Sequence, residues 1–196
     1  MNTLTSSLEF SHFPVMLSEI IQIASPEKGG LFIDCTFGGG SYSNALLKFP
    51  KTKVIGIDRD EAVISRANEL QKKYQKRFKF YQIKFSELDK ILNKNADTII
   101  FDLGLSSIQL KNLNRGFSFK SKNKLDMAMG LNNTSAQEAV NNLSEKHLKL
   151  IIKILGEETE ASNIAKNIIK ARSEKKITKV NEIVKIIEKS KKKNFS

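Results

Sequence analysis

The sequence predicts an α/β fold, in which a sheet of parallel strands flanked by helices is followed by a purely helical segment. Three observations support this prediction. Short apolar runs alternate with amphipathic helical segments over residues 1–110, which is typical of strand–helix repeats. No stretch of residues 111–196 has the pattern of a strand. The charge divides at the same place, because residues 1–110 hold 14 basic and 12 acidic side chains, whereas residues 111–196 hold 19 and 9.

Four strand–helix repeats are expected in the first segment, after a helix at 14–24 that begins with Pro14. The strands, each a short apolar run, are predicted at 31–35, 53–58, 79–83 and 97–103. The helices that follow the first three of these strands are predicted at 41–49, 61–77 and 86–93. These repeats predict one sheet of parallel strands with right-handed crossovers. Ligands of such sheets bind beyond the carboxyl ends of the strands.

The second segment predicts a helical domain over 111–196, separate from a sheet domain over 1–110. Its first part is polar and loop-like, and its helices carry recognisable start signals. These signals are the capping box Ser135-Ala-Gln-Glu138, Ser144 before a helix at 145–155, and Thr178 before the last helix, with a further helix at 157–172. Apolar stripes predict the packing faces, and they consist of Ile164, Ile168 and Ile169 on one helix and Val180, Ile183, Val184 and Ile187 on another.

The net charge of +12 lies almost entirely in the second segment. A basic segment attached to a nearly neutral domain indicates a polyanionic partner such as nucleic acid. Biased genomic base composition is the alternative explanation, because lysine outnumbers arginine by 28 to 5.

Composition excludes several classes of protein. A single cysteine, Cys35, excludes a disulfide framework, and two distant histidines leave little material for a metal centre, so we expect no metal. No apolar run reaches the roughly 18 residues that span a bilayer, so we expect no membrane association. The first ten residues lack the pattern of a secretory signal, and a cytoplasmic location is therefore expected.

A glycine-rich turn follows the first predicted strand, at Asp34-Cys-Thr-Phe-Gly-Gly-Gly-Ser41. Glycines at a strand–helix junction let a ligand approach the backbone closely. Asp58 ends the second strand, 20 residues after Gly38, where a carboxylate can accept hydrogen bonds from two ribose hydroxyls. The pair predicts a nucleoside-containing cofactor, either S-adenosylmethionine or a nicotinamide dinucleotide, although the G-x-G-x-x-G spacing is absent.

Two further stretches carry candidate chemistry. Asp102 ends the fourth predicted strand, so a buried strand is expected to deliver its carboxylate to the ligand edge of the sheet. Arg115-Gly-Phe-Ser-Phe119 places an arginine beside two aromatic residues, a combination that can stack bases and hold phosphate.

Seven stretches together resemble one protein family. They are His12-Phe-Pro-Val-Met-Leu17, Asp34-Cys-Thr-Phe-Gly-Gly-Gly40, Gly56-Ile-Asp-Arg-Asp60, Phe101-Asp-Leu-Gly-Leu-Ser-Ser107, Arg115-Gly-Phe-Ser-Phe119, Leu125-Asp-Met127 and Gly156-Glu-Glu158. The sequence resembles the ribosomal RNA small-subunit methyltransferase H family, also called MraW. The resemblance implies a Rossmann-like methyltransferase with a helical domain inserted after the fourth strand. It also implies methylation of N4 of a cytidine in the decoding region of 16S rRNA, with S-adenosylmethionine as the methyl donor.

The resemblance further implies which residues form the site. The cofactor contacts carried over by motif are Gly40, Ser41, Tyr42, Asp58, Phe85, Asp102 and Gln109. Asp58 would hold the ribose, and Phe85 would lie near the adenine. For the methyl transfer itself, an acceptor near the amine, either Asp102 or a backbone carbonyl, is expected to favour attack, and Asp102 is the catalytic candidate. The basic helical segment would face 16S rRNA in the small ribosomal subunit.

The sequence departs from the family pattern in three places. Ser41-Tyr42 stands where the family usually has Gly-His, and Leu125-Asp-Met-Ala-Met-Gly130 lacks an arginine and a carboxylate. Family members also continue further, so we expect this chain to be the N-terminal part of such an enzyme, ending inside the inserted domain. Two alternatives remain, namely a non-catalytic RNA-binding fragment and a nicotinamide-dependent oxidoreductase.

Overall fold

A computed structural model describes residues 14–92, 95–131 and 134–191. The chain divides into two compact units, Met1–Ser107 and Ile108–Ser196. His12 in the first quoted motif lies outside the described residues. The α/β, Rossmann-like fold class predicted from the sequence is confirmed by the parallel sheet of the first unit.

The sheet of the first unit has four parallel strands in the order β3-β2-β1-β4. Its strands are β1 (Gly30–Asp34), β2 (Thr52–Ile57), β3 (Phe78–Tyr81) and β4 (Thr98–Ile100). Ile33 of β1 lies opposite Ile55 on one side and Ile99 on the other. Among the described residues β4 pairs only with β1, so the outer edge of β4 has no partner strand.

The first unit contains three helices, and a fourth, short helix begins at its last residue. They are α1 (Leu17–Ala24), α2 (Ser41–Leu46), α3 (Ile64–Tyr74) and α4 (Ser107–Lys111). The helix predicted at 61–77 is shorter than expected, because its ends, Glu61–Val63 and Gln75–Arg77, are 3₁₀ turns. The start predicted at Pro14 is also wrong, because Met16 has a left-handed backbone with φ 54° and α1 begins only at Leu17.

The short helix predicted at 86–93 forms as a 3₁₀ helix over Phe85–Lys90, interrupted at Glu87, and residue 93 lies outside the described residues. This connection nevertheless covers the sheet, as the helix of a strand–helix repeat does. The apolar residues of this connection pack on one face of the sheet, against Ile33, Cys35 and Ile57. The connection from β3 to β4 therefore covers that face and carries the chain from the carboxyl edge of the sheet back to the opposite edge, where β4 begins.

Besides most of α4, the described residues of the second unit form four α-helices and no strand longer than one bridge between Lys124 and Lys179. The helices are α5 (Ala136–Asn142), α6 (Glu145–Ile154), α7 (Ala161–Glu174) and α8 (Val180–Ser190). Helix α7 contacts each of the other three. Both predicted apolar stripes lie in the shared core, with Ile164, Ile168, Val180 and Ile183 buried.

Local capping explains where these helices begin. The Ser135 hydroxyl accepts the Glu138 N–H, and the Glu138 carboxylate accepts the Ser135 N–H at 2.8 Å, as the capping box predicted. Ser144 caps α6 through the His147 N–H. The predicted cap at Thr178 is wrong, because the N-cap position of α8 is Lys179, and Glu182 in the first turn accepts the Thr178 N–H at 2.9 Å and the Lys179 N–H at 3.0 Å.

Candidate functional site

The glycine turn joins β1 to α2 at the carboxyl edge of the sheet. The Phe37 N–H donates to the Ile57 carbonyl at 2.9 Å, and the Gly40 N–H donates to the Phe37 carbonyl at 2.7 Å. Gly40 has φ +73°, and a Cβ there would lie 2.7 Å from the Phe37 ring, so only glycine fits. A Cβ on Gly39 would meet nothing within 4 Å, which leaves the backbone open to a ligand at that position.

Asp58, at the end of β2, is bonded to the glycine turn. One carboxylate oxygen accepts the Gly38 N–H at 2.9 Å, and the other accepts the Asp60 N–H at 2.9 Å. Burial raises the pKa of Asp58, and the two N–H groups oppose that rise. Each carboxylate oxygen can accept more than one hydrogen bond, so Asp58 keeps acceptor capacity for a ligand hydroxyl.

Asp34, at the end of β1, is fully buried and was given no role by the sequence. Its Oδ2 accepts the Ser43 hydroxyl at 2.7 Å, whereas its Oδ1 has no hydrogen-bond partner. Burial raises the pKa of Asp34 to about 6, against the opposing hydrogen bond from Ser43. This pair ties β1 to the first turn of α2 and so fixes the helix that carries Ser41 and Tyr42.

Asp102 lies beyond β4 and is exposed, so the expectation that a buried strand delivers it is wrong. The strand ends at Ile100 because its pairing with β1 ends there, at Asp34. The backbone still holds Asp102 in place, since its N–H donates to the Thr36 hydroxyl at 2.8 Å. Thr36 belongs to the glycine turn, and the predicted Asp102 therefore sits beside that turn.

Tyr42 is buried, and its hydroxyl ties α2 to two other segments. The hydroxyl donates to the Val15 carbonyl at 2.5 Å and lies 3.4 Å from Asp102 Oδ2. Burial raises the pKa of Tyr42 to about 12, and the neighbouring Asp102 carboxylate adds to the rise. Tyr42 is thus a neutral donor that helps to position the loop carrying Asp102.

An aromatic pair lies at the ligand edge of the sheet. The rings of Phe85 and Phe101 meet edge to face, with centroids 5.5 Å apart. Each side chain is about half exposed, 47% for Phe85 and 49% for Phe101. Sequence reasoning named Phe85 but missed Phe101, whose position directly before Asp102 was the available signal. The two half-exposed rings offer an apolar surface to a flat ligand group.

The two other predicted contacts are less central to this geometry. Ser41 is the first residue of α2, directly after Gly40. Gln109 lies in α4 within the second unit, where its side chain is buried. Among the described residues, no group of three His, Cys, Asp or Glu side chains could hold a metal ion. No described helix is long and apolar enough to cross a membrane.

The first unit therefore brings an open glycine backbone, two carboxylates and two half-exposed rings to one edge of a parallel sheet. Asp58 and Asp102 are both bonded to the glycine turn, one through Gly38 and the other through Thr36. Carboxylates that accept hydroxyl or amine hydrogens, next to rings that pack on a base, suit a nucleoside with a cationic substituent.

Comparisons with known proteins point the same way. A family model described as the MraW methylase family matches residues 9–195. The chain is 43% identical over 178 residues to the ribosomal RNA small subunit methyltransferase H of Orientia tsutsugamushi (strain Boryong), covering 90% of this chain and 57% of that protein. The protein of the same name from Rickettsia massiliae (strain Mtu5) is 41% identical over 181 residues, with 92% and 59% covered.

The chain thus spans less than two thirds of the length of the curated relatives it matches. A solved structure, of a proposed rRNA methylase from Clostridium thermocellum, matches with a TM-score of 0.43 and 17% identity. That match covers 49% of this chain and 54% of the other.

Proposed function

The chain belongs to the MraW methylase family, and from that premise we propose that it acts in S-adenosylmethionine-dependent methylation of N4 of a cytidine in 16S rRNA. The names of its relatives support an rRNA methyltransferase. The observation that carries the proposal is the hydrogen bond from the Gly38 N–H to Asp58, which joins the glycine turn to an acid at the ligand edge of the sheet.

The residues of the first unit fit this methyl donor. Asp58 has acceptor capacity for the ribose hydroxyls, since each carboxylate oxygen can accept more than one hydrogen bond. The half-exposed rings of Phe85 and Phe101 offer an apolar surface for the adenine. The open backbone at Gly39 allows close approach of the remaining, amino-acid part.

When bound, S-adenosylmethionine supplies a methyl group on a positively charged sulfur. The chain's own contribution is to align an amine with that methyl group and to receive a proton from the amine. As the new N–C bond forms and the S–C bond breaks, the amine must lose one proton. Asp102 is the proposed acceptor, because its carboxylate is exposed at the ligand edge and its backbone is held by Thr36.

Calorimetric titration of the chain with S-adenosylmethionine tests the proposal. We expect saturable binding with one ligand per chain. Asp58→Asn should raise the Kd by about 10- to 150-fold, because a hydrogen bond to a charged acceptor contributes about 1.5–3 kcal/mol. Glu27→Gln is the matched control, since Glu27 is exposed and precedes β1, at the opposite end of that strand. It should leave the Kd unchanged.

Absence of binding by the unmodified chain would overturn the proposed cofactor. Salt-sensitive binding of RNA without binding of the cofactor would favour the second candidate, a non-catalytic RNA-binding chain. That candidate is supported by the basic excess of residues 111–196. A methyl-transfer assay on small ribosomal subunits separates the two, and Asp102→Asn should slow transfer by about 10²- to 10⁴-fold at saturating cofactor.

A further inference from the structure

We propose that Phe119, at the tip of a fixed turn in the second unit, stacks on an unpaired base of the RNA substrate. The inference rests on the proposed function, because it takes RNA to be the substrate. It adds a contact residue and its chemistry, namely a ring that packs on a base and flanking lysines that meet phosphates. The turn that carries it is Ser118–Ser121, defined here as the Phe119 turn.

The Phe119 ring is unusually exposed for an aromatic side chain. It has 74% of its accessible surface in solvent, compared with 47% and 49% for the two rings at the ligand edge of the sheet. Burying a phenylalanine side chain is favourable, and the isolated chain leaves this gain unrealised. A partner that covered the ring would recover it.

The backbone beneath the ring is held firmly. The Ser121 N–H donates to the Ser118 carbonyl at 2.9 Å, which closes the turn. The buried Ser121 hydroxyl donates to the Leu113 carbonyl at 2.6 Å and accepts the Asn123 N–H at 3.0 Å. Because the turn is fixed before binding, little conformational entropy is lost when the ring contacts a ligand.

The charge around the turn selects the partner. Between residues 111 and 125 the chain has five basic side chains and no acidic one. Lys120 and Lys122, which follow Phe119 in the sequence, are both exposed. An aromatic ring among lysines is the arrangement by which proteins bind single-stranded nucleic acid, with bases on the ring and phosphates on the cations. A protein partner for an apolar tip would not require this charge.

Phe117, two residues earlier, does not compete for this role. Its ring is only partly exposed and lies under the Arg115 guanidinium, at 5.2 Å from the ring centroid. Arg115 is in turn bonded to the Ala128 carbonyl at 2.9 Å. The two phenylalanines of the Arg115–Phe119 motif are therefore different, one holding the loop and the other facing outward.

The test measures binding of the chain to a labelled single-stranded RNA of about 12 nucleotides, a length within the site sizes of single-strand binders. Phe119→Ala should weaken binding by about 5- to 150-fold, which corresponds to about 1–3 kcal/mol for one stacked base. Leu155→Ala is the matched control, because Leu155 is an apolar residue of the same unit that is 78% exposed. It should change the Kd by less than twofold.

A second variant gives a spectroscopic signal that a structural role would not produce. The chain contains no tryptophan, so Phe119→Trp introduces a single tryptophan at the tip, whose emission can be excited selectively, apart from that of the tyrosines. Stacking on a base should quench its emission and retain the affinity. Lys120→Gln should reduce the slope of log Kd against log salt by about 0.7, the value for one phosphate contact on a single strand.

Three outcomes would overturn the inference. The first is RNA binding by Phe119→Ala that equals that of the unmodified chain. The second is a tryptophan emission that RNA does not change. The third is failure of the unmodified chain to bind RNA at all, which would also remove the RNA part of the proposed function. In the first two outcomes the unmodified chain still binds, so they leave the proposed function standing.

Discussion

The two units treat their charges in opposite ways. In the first unit, Asp34 and Asp60 are buried and Asp58 is partly buried, with oxygens bonded to backbone N–H or hydroxyl groups. Among the described residues of the second unit no charged side chain is buried, and its buried polar side chains are Gln109, Ser121 and Ser190. Burying a charged group costs desolvation free energy, and such a group is held by directional hydrogen bonds. An exposed charge costs little, and salt screens its interactions.

This difference indicates what each unit is built to recognise. Fixed carboxylates at a sheet edge select the hydrogen-bond pattern of one small ligand. Exposed lysines attract any polyanion, and a contact such as Phe119 then selects its conformation. We therefore expect the first unit to respond strongly to pH and to single-atom changes in its turn, and the second unit to respond to salt.

The largest effect is expected at the glycine turn. Gly40→Ala places a Cβ at φ +73° and 2.7 Å from the Phe37 ring. The left-handed backbone and the overlap should together lower the free energy of unfolding of the first unit by about 2–4 kcal/mol and abolish cofactor binding. Urea denaturation and calorimetry measure the two effects.

Gly39→Ala is the control for that change, because a Cβ at this neighbouring position meets nothing within 4 Å. Its unfolding midpoint should stay close to that of the unmodified chain. Equal destabilisation by both variants would show that the turn tolerates neither Cβ, and the steric explanation for Gly40 would then be wrong.

The next effect is a pH dependence that belongs to the first unit. The pKa of Asp34 is raised from 3.8 to about 6 by burial, so the folded chain binds this proton more tightly than the unfolded chain. Stability contributed by Asp34 is therefore fully present below the unfolded pKa of 3.8 and is lost as the pH rises through the folded pKa of about 6. The shift corresponds to roughly 3 kcal/mol.

Asp34→Asn removes this titration while keeping the size of the side chain. We expect the difference in unfolding free energy between the unmodified chain and the variant to change by roughly 2–3 kcal/mol between pH 4 and pH 7, measured by urea denaturation. Taking the difference cancels the contribution of the other carboxylates. A difference that is constant across this range would mean that Asp34 keeps an ordinary pKa.

The smallest effect is expected in the second unit. Ser135→Ala removes the hydroxyl that accepts the Glu138 N–H and should destabilise this unit by about 1 kcal/mol. Cofactor affinity should not change, because every cofactor contact proposed on the basis of geometry lies in the first unit. A parallel loss of cofactor binding, detected by calorimetry, would contradict this division of labour.

The sequence predicted those features that depend on local patterns. Strands β1 to β3 lie within about two residues of their expected positions, because an apolar run flanked by turn residues is a local signal. The caps at Ser135 and Ser144 were found for the same reason. The cap at Thr178 failed, because α8 begins one residue later, with Lys179 at its N-cap position and the Lys179 N–H bonded to Glu182.

Features that depend on distant contacts could not be predicted in this way. The exposure of Asp102 follows from where β1 stops pairing with β4, and the burial of Tyr42 depends on the Val15 carbonyl 27 residues away. The glycines, Asp58 and Phe85 were identified by type and position, but the bond from Gly38 to Asp58 required the folded sheet. The resemblance supplied the expected roles of these residues, and the sheet topology explains why they lie close together.

The position of β4 in the sheet also sets an order of assembly. Strand β1 pairs with β2 across 22 residues, but the bonds from Leu31 to Asp97 and from Asp102 to Thr36 each join residues 66 apart. Because of the lost chain entropy, closing the longer loop costs about 1 kcal/mol more free energy, so β1, β2 and β3 are expected to associate first. The glycine turn and Asp58 then form early in folding, and Asp102 reaches its place last and is the first to leave when the chain opens.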